Sequence, residues 1–214
     1  MIQSFSVPPL QANCAIITSG SDAAVSDPGF GSKQIITRLE KDSLDLKYIF
    51  CTHAHFDHCG DVLTLKQRYP EAKVVLGKED LELYNKIHQQ PSEFGVPLPA
   101  SPQPEPDLLV SDGDVVSMGE LEKLEFKIFT SPGHSPGSIC LYIEKENTLI
   151  AGDVLFQGSC GRSDLWQGNG NDLKNSIRRL LRDLPGKTKV IAGHGPSTTL
   201  DQEKRSFAGY GSFL

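Results

Sequence analysis

Short apolar runs alternate along the chain with segments whose apolar residues recur every three or four positions. This pattern of strands and amphipathic helices predicts a layered α/β domain. Residues 14–18 and 23–25 read as strands, the second running into the turn Asp27-Pro28-Gly29. A helix is expected over 32–41, with Ser32 as its cap and Ile35, Ile36 and Leu39 facing inward, and then a buried strand over 48–52. The spacing of Val62, Leu65 and Tyr69 predicts a helix over 61–69 that stops at Pro70, followed by a strand over 73–76 and a helix over 79–88. Between 89 and 106 the composition shifts to Pro, Ser and Glu, and a connection that long predicts a surface flap. Strands are expected at 124–129, 139–143 and 148–151. The clearest helix is 171–184, with Leu173, Ile177, Leu180, Leu181 and Leu184 on one face and Pro185-Gly186 ending it. A last strand at 189–192 precedes a short polar tail.

At 214 residues the chain fits one large domain or two small ones, and a domain this size buries roughly 70% of its unfolded surface without needing disulfide staples. Gly133-His134-Ser135-Pro136 and Gly193-His194-Gly195-Pro196 echo one another, each after a strand-like run, which implies two αβ halves facing each other. Acidic residues outnumber basic ones by 27 to 21, a formal charge of −6, and this argues against binding dominated by nucleic-acid phosphates. The five cysteines, Cys14, Cys51, Cys59, Cys140 and Cys160, contain no C-x-x-C pair and fit a reducing compartment better than a disulfide framework or zinc ribbon. The first residues show no basic region leading into an apolar run, and nowhere do about eighteen apolar residues occur together. A cytoplasmic protein with no membrane partner is therefore expected.

The chemistry concentrates in Thr52-His53-Ala54-His55-Phe56-Asp57-His58, directly after a buried strand. In an extended segment alternate residues point the same way, so His53, His55 and Asp57 share a side, and His58 reaches back from the turn into the next helix. Three imidazoles and a carboxylate so close suit zinc, iron or manganese. Of the six histidines, three lie here and two in the Gly-His-x-Pro turns; His88, on an amphipathic helix, reads as structural or solvated. Asp153 closes another strand-like run. Functional sites of open α/β sheets form where strand ends converge, so four strand ends would deliver seven ligands.

These residues resemble the metallo-β-lactamase fold hydrolases, and within them the glyoxalase II-like, or hydroxyacylglutathione hydrolase-like, branch. The resemblance runs from the Asp27 turn to Gly193-His194-Gly195-Pro196 and rests on H-x-H-x-D-H followed in order by His, Asp and His. It implies a four-layer αββα sandwich, a single domain over 1–214, with a dinuclear site at its edge. Carried over residue by residue, it puts His53, His55 and His134 on one metal, Asp57, His58 and His194 on the other, and Asp153 between them, with Asp57 and Asp153 as the catalytic carboxylates. Two divalent ions per chain are implied, zinc first and iron or manganese otherwise, with a bridging hydroxide available near neutral pH. Two dications, two aspartates and one hydroxide leave a net charge of about +1, which favours anionic substrates.

An aspartate at the bridging position favours thioesterase members over β-lactam-cleaving ones, His55 stands where flavodiiron-type members carry an acidic residue, and no basic nucleic-acid-gripping insertion is present. Gly158-Ser159-Cys160-Gly161-Arg162 resembles the glyoxalase II segment whose basic residue holds a glutathione carboxylate. Arg162 is thus the candidate for binding a substrate carboxylate, against the alternative of a salt bridge to Asp164, and Cys160 reads as a packing residue. The expected activity is hydrolysis of small anionic thioesters such as S-lactoylglutathione. Eukaryotic-type glyoxalase II continues with a helical domain where this sequence ends 20 residues after His194, so a likeness to the compact bacterial members is expected. Gly161-Arg162-Ser163-Asp164 also resembles a segment of the persulfide dioxygenases on the same fold, which implies a runner-up with one iron on His53, His134 and Asp153. A non-catalytic metal-binding domain ranks last.

Overall fold

The computed structural model describes residues 1–96, 101–120 and 122–208. Two six-stranded sheets face each other. The first takes β1 (Ile2–Val7), β2 (Ala12–Ser19), β3 (Asp22–Ser26), β4 (Asp45–Cys51), β5 (Lys73–Gly77) and β6 (Leu108–Val110) in chain order. It is antiparallel through β3 and parallel from β3 to β6. The second takes β7 (Val115–Met118), β8 (Leu124–Thr130), β9 (Ile139–Ile143), β10 (Thr148–Gly152), β11 (Lys189–Ala192) and β12 (Thr198–Thr199). Only β10 and β11 run parallel in it.

The central strands carry apolar residues on both faces because both faces are buried, as in β9, which is buried at every position, and the alternation of side chains sorts them into layers. Ala15, Ile17, Ala24, Phe50 and Val75 point from the first sheet into the seam between the sheets, where they meet Phe126, Ile128, Ile139, Leu141, Ile150 and Ile191. Phe50 and Phe126 stack there with ring centroids 4.7 Å apart. The opposite positions, Cys14, Ile16, Val25, Ile49 and Cys51, face α1 (Ser32–Lys41) and α3 (Val62–Arg68) through Ile35, Leu39, Val62 and Leu65. On the far side Cys140, Tyr142, Leu149 and Val190 face α6 (Gly170–Asp183) and α7 (Leu200–Ala208) through Leu173, Ile177, Leu180, Leu200 and Phe207. Each of these buried Val, Leu, Ile and Phe side chains contributes about 1.5–3 kcal/mol relative to exposure, and the layers are those of the expected αββα sandwich.

Several elements differ from expectation. Ser32 is the first helical residue and not the cap: Gly31 precedes it without a side-chain cap, and Asp61 Oδ2 accepts from the Ser32 amide at 2.8 Å. Asn169 caps α6, accepting from Asn171 and Asp172 amides. The single helix expected over 79–88 is a chain of short turns: Lys78–Asp80, α4 (Leu81–Asn85) and Ile87–Gln89. The polar tail forms β12 and α7. The flap expected over 89–106 begins with α5 (Gln90–Glu93), whose Gln90 is buried, and its residues 97–100 lie outside the described ones. Among the described residues no helix is long and apolar enough to cross a membrane, and all five cysteines are free thiols.

Candidate metal centre

Four strands end at one edge of the sandwich. After β4 come Thr52, His53, Ala54 and His55, then α2 (Phe56–Cys59) with Asp57 and His58. His134 follows β8, Asp153 follows β10 and His194 follows β11. The two sheets are tied at this edge by the Ile139 amide donating to the Thr52 carbonyl at 2.8 Å and the Asn13 amide donating to the Gly193 carbonyl at 2.6 Å. Gly152 has φ +50 and packs against the Thr52 side chain, where a Cβ would collide. The backbone can therefore turn there and aim Asp153 inward only with glycine.

All seven expected ligands meet. Candidate ligand atoms of His53, His55 and His134 lie within 4.8 Å of one another, as do those of Asp57, His58 and His194, and those of His53, His58 and Asp153. His55 Nδ1 is 2.9 Å from His134 Nε2, and His58 Nε2 is 3.3 Å from His194 Nε2. Asp153 Oδ1 is 3.5 Å from His58 Nε2 and its Oδ2 is 3.5 Å from His134 Nε2, so one carboxylate faces both groups.

The donor chemistry fits dications. His53 Nε2 and Asp153 Oδ1 are buried without a hydrogen-bond partner, a costly state unless a charged group meets them. Burial, and then the neighbouring imidazoles, push His53 and His55 well below the usual imidazole range, so their lone pairs are free. Burial alone would lower His58 too, but Asp57, Asp153 and Asp27 outweigh it and push that imidazole up to about 10. Burial works against Asp57 ionising, yet His58 and His194 hold its carboxyl well below the usual range. Nitrogen donors with one or two carboxylates suit zinc, iron or manganese.

A further set of buried groups orients the ligands, as is usual around protein metals. His134 Nδ1 donates to the Arg162 carbonyl at 2.7 Å, leaving Nε2 as the lone-pair nitrogen. Thr52 Oγ1 lies 3.1 Å from His53 Nδ1 and donates to Asp27 Oδ2 at 2.9 Å, and that same oxygen is 3.5 Å from His58 Nδ1. Asp80, fully buried, accepts from the Ala54 amide at 2.9 Å, Ser135 Oγ at 2.7 Å and the Gly137 amide at 2.6 Å, joining the H-x-H loop to the His134 turn. Gln90 accepts from the Phe56 amide and donates to the Ala54 carbonyl. Sequence reasoning missed Asp27 as a ligand support, and missed Asp80 and Gln90 entirely. Asp27 and Asp80 follow the ends of β3 and β5, so the strand-end rule that found the ligands carried their signal as well.

The centre floors a cleft of ≈ 340 Å³ that Arg162 also lines. The Arg162 guanidinium is exposed and grips Asp164 with two hydrogen bonds, Nε to Oδ1 at 2.7 Å and Nη2 to Oδ2 at 2.8 Å. Cys160 packs against the α6 side of the second sheet. His88 lies outside the cluster.

A family model described as the metallo-beta-lactamase superfamily matches residues 7–194. The hydroxyacylglutathione hydrolase GloC of Haemophilus influenzae is 36% identical over 96% of this chain and 95% of its own. Among solved structures, the BLEG-1 B3 metallo-beta-lactamase superposes with a TM-score of 0.87 at 33% identity, covering 96% of this chain and 97% of that one. TTHA1623 in a di-iron-bound form gives 0.84 at 33% identity, covering 95% and 98%. ETHE1 from Myxococcus xanthus gives 0.77 at 25% identity, covering 96% and 82%.

Proposed function

The chain belongs to the metallo-β-lactamase superfamily, and from that premise we propose that it is a dinuclear metal-dependent hydrolase of small anionic thioesters such as S-lactoylglutathione, folded as one domain over 1–214. The observation that carries the reading is Asp153, whose two oxygens each stand 3.5 Å from a histidine of a different donor group, the disposition of a bridging carboxylate. His53, His55 and His134 would hold one ion and Asp57, His58 and His194 the other. When bound, the ions would supply Lewis acidity, polarising the thioester carbonyl and lowering the pKa of water.

The chain's own groups do the rest. Asp57 and Asp153, both at the cleft floor, would hold the reacting water in position. A thiolate leaves without first being protonated, so the absence of a further acidic side chain among the described lining residues is no obstacle. Arg162 lies at the cleft wall with a forked donor geometry suited to a substrate carboxylate, which must first displace Asp164. The relatives' hydroxyacylglutathione hydrolase name and the Gly158–Arg162 segment support the thioester class. A cytoplasmic location with neither nucleic acid nor membrane as partner belongs to the same reading.

The runner-up, one iron on His53, His134 and Asp153 in a persulfide dioxygenase, is favoured by the Gly161-Arg162-Ser163-Asp164 segment and by the likeness to ETHE1. His194→Ala separates the two. In the hydrolase, metal content falls from two toward one per chain and thiol release from S-lactoylglutathione collapses. In the dioxygenase, one iron stays and oxygen uptake with glutathione persulfide survives, which would refute the hydrolase.

A further inference from the structure

Beyond the ligand groups, the cleft is lined by Leu10, Phe56, Phe94, Phe156 and Leu165, with Arg162 the only other charged side chain among the described lining residues. Among the described residues it presents no side-chain hydroxyl or amide. Aromatic rings flank both donor groups. Trp166 lies 5.4 Å from the His55 ring and 5.5 Å, edge to face, from Phe94, which stacks at 5.6 Å on Phe56. On the other flank Phe156 stands edge-on to His194 at 6.2 Å. Phe94 remains 37% exposed and Leu10 48% exposed, an apolar surface at the mouth of a polar floor.

Glutathione carries two carboxylates, an ammonium and two amides, and each polar group taken into a cleft needs a partner there. One guanidinium, already engaged by Asp164, serves one carboxylate and nothing more. Apolar walls instead reward an apolar substituent, and aromatic walls an aromatic one.

Resting on the hydrolase reading, we propose that the preferred substrate is a thioester with an aryl or bulky alkyl acyl group and a small thiol part bearing a single carboxylate. The acyl group lies against the Phe56–Phe94 wall, which Trp166 backs through Phe94, and the carboxylate on Arg162. In the reaction a water oxygen forms the new bond to the carbonyl carbon and the carbon–sulfur bond breaks. The sulfur departs with its electron pair, and the products are a carboxylate, a thiol and one proton. No oxidant or reductant is required.

The test uses the metal-loaded protein and two thioesters, S-phenylacetyl-3-mercaptopropionate and S-lactoylglutathione. The wild type is expected to favour the phenylacetyl compound at least about ten-fold in kcat/KM, since even one methylene in an apolar pocket is worth about that much. Phe94→Ala, at a half-exposed position, should erase most of that ratio. A second readout needs no turnover. Trp166 is the chain's one tryptophan, so its fluorescence follows binding of the inert thioether 3-(2-phenylethylthio)propionate, and Phe94→Ala should weaken that binding about ten-fold. If S-lactoylglutathione is the better substrate, or Phe94→Ala leaves both the ratio and the thioether affinity unchanged, the inference fails and the hydrolase reading stands. If neither thioester is cleaved, both fail.

Discussion

Replacing Asp80 by alanine should destabilise the protein by about 4 kcal/mol although Asp80 is no metal ligand. Its carboxylate accepts three hydrogen bonds in a site with no solvent access. One donor has an alternative, because Ser135 Oγ is also 2.7 Å from Ser138 Oγ and can turn to it. The Ala54 and Gly137 amides have none, and each buried donor left unpaired costs about 1–3 kcal/mol, or about 2–6 for the pair. Burial, which raises the Asp80 pKa against its three donors, returns part of this when the charge is removed, so the middle of the range is the expectation. For a chain of this length about 4 kcal/mol lowers Tm by about 8–16 °C. Urea unfolding of the metal-free protein measures the stability directly. Because the two amides belong to the loops carrying His53, His55 and His134, affinity for the first metal equivalent should also fall. A loss under about 1 kcal/mol would mean that water or a backbone shift satisfies both amides, and the bracing role would be wrong.

Arg162→Ala should raise KM about five-fold and leave kcat nearly unchanged, since an exposed arginine contacting a remote carboxylate acts in ground-state binding; steady-state kinetics showing a fall in kcat at constant KM would move Arg162 to the reacting centre. Glu203, buried in α7, accepts from the Gly158 amide at 2.7 Å and Thr198 Oγ1 at 2.6 Å, and so braces the loop that carries Phe156 and Arg162. Glu203→Ala should raise KM several-fold with metal content intact, and Glu203→Gln, which keeps an acceptor for Gly158, should restore it; equal effects of the two substitutions would count against the brace.

The clustering of the seven His and Asp side chains was legible because metal chemistry needs residue types that are rare elsewhere and needs them at strand ends. The buried strands were legible because each is apolar on both faces. What stayed hidden shares one physical cause, that the local pattern reported something other than the environment. β1 is an edge strand with mixed exposure, so Gln3, Ser4 and Ser6 interrupt its apolar alternation. α7 buries only Leu200, Glu203 and Phe207, one of them charged, and a buried carboxylate is written in sequence like a surface one. Asp80 was invisible for the same reason within the run Lys78-Glu79-Asp80. Over 79–88 the apolar spacing is helical, but the Asp80 backbone packs against Gly137 and is held in a tighter turn.

Every strand of the first sheet precedes Ser111 and every strand of the second follows it. The early half of the polypeptide therefore brings His53, His55, Asp57 and His58, and the late half brings His134, Asp153 and His194. Each assigned ion would draw ligands from both, like a rivet through two plates, and neither plate owns a complete set. An ion that binds only the closed pair adds its binding energy to closure, about 4 kcal/mol at a thousandfold excess over Kd. Metal loading would thereby report that both halves are present and shut: a chain cut short before His194, or one whose halves close out of register, would offer no complete set of ligands to fill.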